Sequence, residues 1–380
     1  MPANLPAEAR AKWLKVLEAK TPEEKLKALE EFISATPKHK GTENLVHWAR
    51  RRMAQLRREI ELRREKERSK GGSGLKVYVE KSGDVQLAVV GPPMSGKSAL
   101  LKCLTDANVE PDLIPYSTIE PVPGMFIEGN VYFQLVKAPS ISLGKDSDLN
   151  NITLSIMRNA DGVLIVLNCL NGDVKQQFDA ISRMALDDGI YLVKPRGIVK
   201  VEPKTGMGVQ VIGKLLNATH NDVVKLLTSY RIYGAIVYID GEATLDDIED
   251  ALIRSPTYKP TILILNNHNL CGKVDLTDLR IPVIPAKLDE CIIDRVKLSE
   301  TILRHLDLIK VYTKEPWASK PTDKPFILKR GSSVGDLAQR IHSELYSNFK
   351  YARVWSPSGF YRRVGLNYVL NDGDIVEIHA

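Results

Sequence analysis

The sequence contains little cysteine, and its four cysteines lie far apart. Cys103, Cys169, Cys271 and Cys291 include no C-x-x-C pair, which argues against a zinc site of the usual spacing. Three of the four lie in or beside apolar patterns that are typical of strands or helices. We therefore expect buried thiols in a reducing compartment rather than a disulfide framework.

Long apolar runs are also absent. No stretch approaches the roughly 20 apolar residues that span a bilayer, and the amino-terminal residues lack the apolar core of a secretory signal. The net charge of +6 over 380 residues is modest, so it permits a polyanionic partner without requiring one. These features predict a cytoplasmic globular protein of two or three domains that has no membrane partner.

The most informative stretch is a glycine-rich loop between an apolar strand and a helix. Residues Gly91 to Ser98 fit the pattern G-x-x-x-x-G-K-S/T. The two glycines let successive backbone N–H groups face inward, where the helix adds its positive amino end. Lys97 is then expected to contact the β- and γ-phosphates, and the Ser98 hydroxyl to bind Mg²⁺. The predicted nucleotide ligands here are Gly91, Pro92, Pro93, Met94, Ser95, Gly96, Lys97, Ser98 and Ala99.

Residues 1–74 are predicted to form a helical region. Apolar spacing indicates a helical pair over 7–35, and one long arginine-rich helix is predicted from Thr42 to about Arg68. The arginine run fits either a solvated face that is paired with nearby acids or a contact with RNA phosphates. A Gly-Gly-Ser-Gly stretch at 71–74 then marks a hinge.

Residues 75–310 alternate apolar strands with helical patterns, which predicts an α/β fold with a mostly parallel sheet. The predicted strands are Leu87–Val90, Val131–Val136, Val163–Leu167, Thr261–Leu265 and Pro282–Pro285. The alternation breaks at about 190–249, where turn-rich segments and a helix near Asn221–Tyr230 indicate a small inserted α+β domain. Its basic residues fit a solvated loop or a second polyanion contact. They are Lys194, Arg196, Lys200 and Lys204.

Residues 311–380 are predicted to form a small domain of the ubiquitin-like β-grasp type. The predicted elements are a strand at Phe326–Leu328, a helix over Ser333–Leu345 and strands at Ala352–Trp355, Tyr368–Leu370 and Ile375–Ile378. Basic and aromatic residues are interleaved in this region, which fits either an RNA surface or a core of aromatics with solvated charges.

Several of these stretches together resemble the developmentally regulated GTP-binding proteins, which are Obg-related P-loop GTPases of the translation-factor class. They are the loop at Gly91–Ser98, the stretch Thr36–Glu43, and the segments Phe349–Trp355 and Arg363–Leu366, which resemble signatures of the family's TGS domain. The resemblance covers nearly the whole chain. It implies a P-loop GTPase domain with a small insertion and a TGS domain.

The resemblance also implies ligands and partners. It implies that the chain binds GTP or GDP with Mg²⁺, and that it acts with the ribosome, ribosomal RNA or transfer RNA, alongside a small companion protein. We expect no DNA partner. In the segment that resembles the first switch, Thr118 stands at the magnesium-binding threonine and would complete the metal shell when a γ-phosphate is present.

The segment that resembles the second switch departs from the family pattern D-x-P-G. Lys137 stands at the position of the acid, and Ser140 at that of the glycine. The acid normally orders the water shell of Mg²⁺, and an ammonium group there repels the metal or replaces part of its charge. Lys97 and Thr118 remain as candidate catalytic residues, and the departure predicts slow or absent GTP hydrolysis.

The base-recognition motif N-K-x-D also departs from the pattern. It appears as Asn266-Asn267-His268-Asn269, so Asn269 offers one acceptor and one donor where an aspartate would accept from both guanine donors. The unpaired donor costs about 1–3 kcal/mol, which predicts reduced selectivity for guanine. Further on, Ala286 and Lys287 resemble the family's contact to the guanine carbonyl, which is made by the Ala286 backbone N–H.

Three functional hypotheses follow from the sequence. The first is a ribosome-associated protein that binds a guanine nucleotide and hydrolyses it slowly or not at all. The second is a pseudo-GTPase that serves as a structural RNA- or ribosome-binding adaptor. The third is an NTPase of relaxed base specificity in which Lys137 supplies charge in place of the acid.

Overall fold

The computed structural model describes fourteen stretches of the chain. They are residues 6–19, 21–37, 42, 45–46, 49–50, 52–54, 56–57, 60, 79–107, 120–142, 148–204, 206–254, 256–271 and 279–380. Among them no helix is both long enough and apolar enough to cross a membrane. The chain divides into two compact units, one of 79–140, 160–174 and 260–380 and the other of 1–78, 141–159 and 175–259.

The strands are numbered in chain order. They are β1 (Val85–Val90), β2 (Val122–Glu128), β3 (Val131–Lys137), β4 (Gly162–Asn168), β5 (Ile190–Tyr191), β6 (Gly197–Pro203), β7 (Val209–Leu215), β8 (Ala235–Ala243), β9 (Thr257–Tyr258), β10 (Thr261–Asn266), β11 (Val283–Lys287), β12 (Ile292–Ile293), β13 (Leu308–Thr313), β14 (Phe326–Lys329), β15 (Tyr351–Trp355), β16 (Tyr361–Val364) and β17 (Ile375–His379).

The helices are numbered in the same way. They are α1 (Ala7–Glu18), α2 (Pro22–Ala35), α3 (Lys97–Leu104), α4 (Asp148–Asn159), α5 (Val174–Asp187), α6 (His220–Ser229), α7 (Leu245–Arg254), α8 (Arg295–His305), α9 (Val334–Ile341) and α10 (Ser343–Ser347). The described residues of 45–60 are helical, in agreement with part of the predicted long helix, and the rest of that prediction lies outside the described residues.

The first unit contains a seven-stranded sheet in the order β12-β11-β10-β4-β1-β3-β2. The five central strands run parallel, and the two edge strands are antiparallel. Strands β1 and β4 are buried along their whole length, because helical connections cover both faces of such a sheet. The predicted mostly parallel α/β sheet is thus confirmed.

The first unit also contains the β-grasp domain. Its sheet has the order β14-β13-β17-β15-β16, with β13 and β17 parallel in the centre. The predicted helix is two helices, since His342 has extended backbone between α9 and α10. The predicted strand at Tyr368–Leu370 is wrong, because only Val369 makes an isolated bridge, to Ser333. The edge strand β16 and the central strand β13 were missed.

The second unit joins the amino-terminal helices to the inserted region through one apolar core. The rings of Trp13 and Phe32 lie 5.0 Å apart, and both belong to the cluster that includes Val223 and Leu227 of α6. The insertion itself is a three-stranded sheet in the order β6-β8-β7 that carries α6 and α7. The predicted helix near Asn221–Tyr230 corresponds to α6, which Thr219 caps.

Candidate functional site

The phosphate-binding loop connects the carboxyl end of β1 to the amino end of α3. At Gly91 a Cβ atom would lie 2.3 Å from the Val166 carbonyl oxygen and 2.8 Å from Ser95 Oγ, so no larger residue fits. Gly96 has φ +105°, a backbone conformation that favours glycine. Ser95 Oγ is buried and makes no hydrogen bond among the described residues. The loop therefore has the two glycines that a phosphate-binding turn needs, and it holds a buried hydroxyl that makes no hydrogen bond to a described residue.

Lys97 places its ammonium group inside this loop. Its Nζ donates hydrogen bonds to the carbonyl oxygens of Gly91 and Pro92, at 3.0 and 2.8 Å, and to Ser140 Oγ at 2.9 Å. The residue is only 2% exposed. The positive charge is thus held against the first residues of the loop, and an ammonium group is a strong hydrogen-bond donor to an anion.

Asparagine side chains hold the outer carbonyls of the loop. Asn266 Nδ2 donates to the Ser95 carbonyl at 3.4 Å, and its Oδ1 accepts from the Leu288 backbone N–H at 3.0 Å. Asn168 and Asn171 donate to the Met94 and Pro93 carbonyls, at 3.4 and 3.3 Å. Asn168 and Asn171 were not predicted from the sequence. Asn168 ends β4 and Asn171 lies three residues further on, so only the order of the strands in the sheet makes them neighbours of the loop.

The base-recognition turn follows β10 at the same edge. The Asn267 backbone N–H donates to the Ala286 carbonyl at 2.9 Å, and its side chain donates to Asn168 Oδ1 at 3.2 Å. Asn267 has φ 55°, a left-handed conformation that asparagine tolerates. Asn269 lies in the exposed one-turn helix at His268–Leu270. Predicted ligands from distant parts of the chain therefore meet at one edge of the sheet.

Ala286 and Lys287 form the end of the neighbouring strand β11. Ala286 is buried, and Lys287 forms an ion pair with Glu290 three residues later. The hydrogen bond from this pair raises the pKa of Lys287 above its usual value. Lys287 therefore stays protonated at neutral pH, and its charge is already partly compensated by a neighbour.

The expectation of unpaired thiols is wrong, because the four cysteines form two disulfides. Cys103 bonds to Cys291 and Cys169 to Cys271, with Cα atoms 5.2 and 4.9 Å apart. Cys169 follows β4 and Cys271 follows β10, which are neighbouring parallel strands. Residues that are 102 positions apart in sequence are thereby brought together at one edge. The Cys169–Cys271 bond joins the turns after β4 and β10 beside the predicted base site, and the Cys103–Cys291 bond joins α3 to the segment between β11 and β12.

Lys137 occupies the end of β3, next to the phosphate loop. Its Cα pairs with that of Val89 in β1, two residues before Gly91, and the residue is 1% exposed. Ser140, three residues on, is the hydroxyl that Lys97 contacts. The segment that resembles the second switch thus borders the loop, but it presents an ammonium group and a hydroxyl where the family pattern has a carboxylate and a glycine.

The residues of this site do not fit the magnesium ion that the resemblance implies. Ser98 supplies one buried hydroxyl oxygen, Thr118 lies outside the described residues, and Lys137 stands where the acid would. Mg²⁺ in proteins is held through carboxylate and other oxygen ligands, and an ammonium group at the acid position opposes it.

A second candidate surface lies on the β-grasp domain. The Arg363 guanidinium lies 3.8 Å from the centroid of the Tyr351 ring, which stacks on His379 at 4.3 Å. Lys314 Nζ lies 4.8 Å from the centroid of the Trp355 ring. We call this surface, defined by Lys314, Tyr351, Arg353, Trp355 and Arg363, the aromatic-basic face. It combines positive charges with flat rings.

Glu377 is a buried carboxylate that contacts the aromatic-basic face. It is 2% exposed, accepts a hydrogen bond from Arg353 Nη1 at 2.9 Å, and lies 2.6 Å from His379 Nε2. Burial opposes ionisation of this carboxyl, but the hydrogen bonds from His379 and Arg353 outweigh it and lower the pKa of Glu377. The carboxylate therefore stays ionised and fixes the position of Arg353.

Three residues of the other basic stretches have an acid as a neighbour. In the arginine-rich helix, Arg57 Nη2 lies 2.8 Å from Glu30 Oε1. In the insertion, Lys200 and Lys204 lie 2.7 and 3.7 Å from Glu202, whose hydrogen bond and charge raise the pKa of Lys200. These contacts favour the solvated-face interpretation for those residues. Arg51, Arg58, Arg63 and Arg64 lie outside the described residues.

Comparison with known proteins places this architecture among characterised families. Residues 86–199 match the family described as "50S ribosome-binding GTPase", and residues 309–380 match the TGS domain family. Among solved structures, the YchF GTPase of Schizosaccharomyces pombe aligns with a TM-score of 0.45 and 13% identity, over 80% of this chain and 99% of that one.

Two relatives match over almost the full length. Developmentally-regulated GTP-binding protein 2 of Mus musculus is 28% identical over 368 residues, which cover 93% of this chain and 98% of that protein. An uncharacterized GTP-binding protein of Methanocaldococcus jannaschii is 32% identical over 375 residues, which cover 94% of this chain and 92% of that protein. On this identity and coverage, the chain belongs to the developmentally regulated GTP-binding protein family of Obg-related proteins with a TGS domain.

Proposed function

We propose that this protein binds a guanine nucleotide, GTP or GDP, with its phosphates in the loop Gly91–Ser98. The observation that carries the proposal is the position of Lys97, whose ammonium group is buried among the loop carbonyls. An ammonium group held at the loop can also donate charge-assisted hydrogen bonds to a polyphosphate, and such hydrogen bonds are stronger than those between neutral groups. The Ser95 hydroxyl, which has no hydrogen-bond partner among the described residues, and the sterically required Gly91 support the same assignment.

Guanine is the proposed base, with weak selectivity. The Ala286 backbone N–H is placed at the end of a strand next to Asn266, and it favours a carbonyl over the amino group of adenine. Asn269 pairs with only one of the two guanine donors. We therefore expect GTP and its xanthine counterpart to bind within about 150-fold of each other, since one unpaired donor costs about 1–3 kcal/mol.

We further propose that hydrolysis is slow or absent. Lys97 is the charge that positions the phosphates. Thr118 is the residue predicted to complete the metal shell when a γ-phosphate is present. Ser140 and Lys137 replace the groups that sense the γ-phosphate and order the metal in the family pattern. We assign no step to Mg²⁺, because Lys137 stands at the position of the acid that would order its water shell.

The experiment is a nucleotide titration of the full chain and its Lys97→Ala variant. We expect Lys97→Ala to weaken GDP and GTP binding by about 100-fold, because it removes charge-assisted hydrogen bonds to phosphate. Lys102→Ala is the matched control, since Lys102 lies on the same helix and is exposed. Equal binding by Lys97→Ala and the parent protein would refute the site.

Turnover separates the enzyme from the adaptor hypothesis. The same protein is incubated with GTP, with and without ribosomes, and phosphate release is measured. Tight binding without release in either condition supports a nucleotide-holding adaptor. Release that ribosomes stimulate contradicts the proposal of absent hydrolysis and supports a ribosome-activated GTPase.

A second part of the proposal is association with the ribosome or with its RNA, through the aromatic-basic face. Arg363 and Lys314 supply positive charge beside the half-buried Tyr351 and Trp355 rings, and surfaces that bind unpaired bases combine basic groups with aromatic rings. The match of residues 86–199 to a ribosome-binding GTPase family supports the same partner. A small companion protein remains a prediction from the resemblance.

The association is tested by co-sedimentation with ribosomes at graded salt. We expect Arg363→Ala to weaken ribosome binding at every salt concentration. The slope of the logarithm of the binding constant against the logarithm of the salt concentration should become shallower by the equivalent of about one phosphate contact. Arg330→Ala is the control, because Arg330 lies in the same domain and is exposed but pairs with Asp307 at 2.9 Å. Binding that is insensitive to salt, or equally affected by both variants, would count against this face.

A further inference from the structure

We propose that Asn168 is a positioning residue that aligns the two ends of the nucleotide site through one side-chain amide. Its amide oxygen holds the base-recognition turn, and its amide nitrogen holds the phosphate loop. The inference rests on the proposed function, that is, on a guanine nucleotide with its phosphates in the loop Gly91–Ser98 and its base at the turn after β10. It adds the residue that fixes this turn relative to the loop.

A backbone group sets the orientation of the Asn168 amide. Asn168 Oδ1 accepts a hydrogen bond from the Leu170 backbone N–H at 3.1 Å and so caps the short helix Cys169–Asn171. A backbone N–H can only donate, so the amide oxygen must face it and the amide nitrogen must point away from it. The nitrogen lies 3.4 Å from the Met94 carbonyl oxygen, which can only accept. Asn168 is 8% exposed, so water competes little for these contacts.

The base-recognition turn is held at its first residue, Asn267. Its Nδ2 donates to Asn168 Oδ1 at 3.2 Å, and its backbone N–H donates to the Ala286 carbonyl at 2.9 Å. The Leu270 backbone N–H donates to the Asn267 carbonyl at 2.9 Å and closes the turn that carries Asn269. Asn269 and Ala286 therefore share Asn267 as an anchor. Asn168 fixes the side chain of that anchor.

The phosphate loop is held at Met94. This residue has φ 58°, a left-handed conformation that is uncommon for a methionine, and burial does not keep it there because it is 54% exposed. The hydrogen bond from Asn168 to its carbonyl therefore stabilises an unfavourable conformation in the middle of the loop. Because a trans peptide is planar, the Ser95 N–H points opposite to the Met94 carbonyl. Asn168 thus fixes the direction of one N–H group of the phosphate-binding loop.

Three nucleotides report on the two ends of the site separately. GDP and ADP carry the same phosphates but differ at the base edge, so the ratio of GDP affinity to ADP affinity, the base ratio, reports on the base end. GDP and GMP differ only in the β-phosphate, so the ratio of their affinities, the phosphate ratio, reports on the loop. A variant that is merely less stable weakens all three nucleotides by the same factor and leaves both ratios unchanged. Competition against fluorescent GDP on the full chain measures both ratios.

Two variants remove the contacts of the amide. Asn168→Ala removes both, and we expect it to lower each ratio about 2- to 12-fold, the effect of one hydrogen bond at each end. Asn267→Gly removes only the base-side contact, since glycine accepts the left-handed backbone at this position. We expect it to lower the base ratio by a similar factor and to leave the phosphate ratio unchanged. The double variant should match Asn168→Ala alone, because the Asn267 side chain acts through Asn168.

Asn168→Asp tests the amide oxygen by itself. A carboxylate keeps an acceptor for Leu170 and Asn267, and its charge acts equally on GDP and ADP, so we expect the base ratio of the parent protein. The phosphate ratio should remain low, because an acceptor then faces the Met94 carbonyl. Asn221→Asp is the matched control for the added charge, since Asn221 is exposed on α6, and both ratios should stay at the parent values. Thermal unfolding of every variant shows whether it is folded.

The outcomes separate this inference from the proposed function. If the parent protein binds none of the three nucleotides, or binds GDP and ADP equally, the proposed guanine site fails and the inference fails with it. If the parent protein prefers GDP but a folded Asn168→Ala protein keeps either ratio, the positioning role is overturned and the proposed function stands. If Asn168→Ala does not fold, the other two variants decide. Asn267→Gly must then lower only the base ratio and Asn168→Asp only the phosphate ratio, and any other pattern overturns the inference.

Discussion

The phosphate end and the base end of the candidate site are built by different means. At the phosphate end, the loop is held by hydrogen bonds from Lys97 and from asparagine side chains to its carbonyls. At the base end, the turns after β4 and β10 are joined by the disulfide between Cys169 and Cys271. One end is shaped by interactions that a ligand can replace, and the other is cross-linked covalently.

The two ends also differ in how they depart from the family pattern. Asn266 and Ala286, whose contacts are with other parts of the protein, match it. Lys137 and Asn269, which the family pattern would direct at the metal and the base, do not. The comparison teaches that the fold depends on the residues that tie the loops together. The ligand-directed positions can change without loss of that scaffold.

The largest expected effect concerns the covalent end. Reduction of both disulfides should lower the free energy of unfolding by about 2–4 kcal/mol for each, because each one closes a long loop in the unfolded chain. Urea unfolding with and without dithiothreitol measures the change. The double variants Cys169→Ser/Cys271→Ser and Cys103→Ser/Cys291→Ser separate the two bonds.

The contrast between the two ends would be lost if the Cys169→Ser/Cys271→Ser protein matched the parent in both stability and nucleotide affinity. The base-end turns would then depend on hydrogen bonds rather than on the covalent bond, as the phosphate loop does.

The next largest effect distinguishes Asn266, which contacts other parts of the protein, from Asn269, which is predicted to contact the base. Asn266→Ala should destabilise the protein by about 1–3 kcal/mol, because it leaves the Leu288 N–H without its partner and releases the Ser95 carbonyl. Asn269→Ala should change stability by less than about 0.5 kcal/mol, because Asn269 is exposed. Chemical unfolding measures the stability of both variants. Similar losses of stability would contradict the distinction between Asn266 and Asn269.

The smallest effect lies at the phosphate end. Ser140→Ala removes one acceptor of the Lys97 ammonium group, which a phosphate must otherwise displace. We expect nucleotide binding to tighten about 2- to 12-fold, the equivalent of one hydrogen bond of about 0.5–1.5 kcal/mol. Isothermal titration measures it, and weaker binding would mean that the Ser140 hydroxyl serves the nucleotide itself.

The central sheet could be predicted from the sequence because its strands are continuous apolar runs. Five strands were expected, and β1, β3, β4, β10 and β11 contain or overlap them. Such runs are buried on both faces, so their composition alone identifies them. The edge strands were missed, since β2 and β16 are partly exposed and carry polar residues, glycine or proline.

The disulfides could not be predicted, because pairing depends on which strands are neighbours. Cys103 and Cys291 are 188 positions apart, and only the approach of α3 to the β11–β12 hairpin brings them within reach. For the same reason the sequence did not reveal Asn168 and Asn171 as partners of the loop. Both follow a strand whose neighbours in the sheet are not its neighbours in the chain.

The sequence by itself determined the phosphate loop, the parallel sheet and the family, because these depend on local spacing and on apolar runs. Tertiary structure decided which distant side chains share the edge of the sheet. It brought Lys137 and Ser140 to the loop, bonded the cysteines and placed Asn266 between two turns. The physical reason is that a parallel sheet gathers the ends of strands that are far apart in sequence, so chemistry at that edge is a property of strand order.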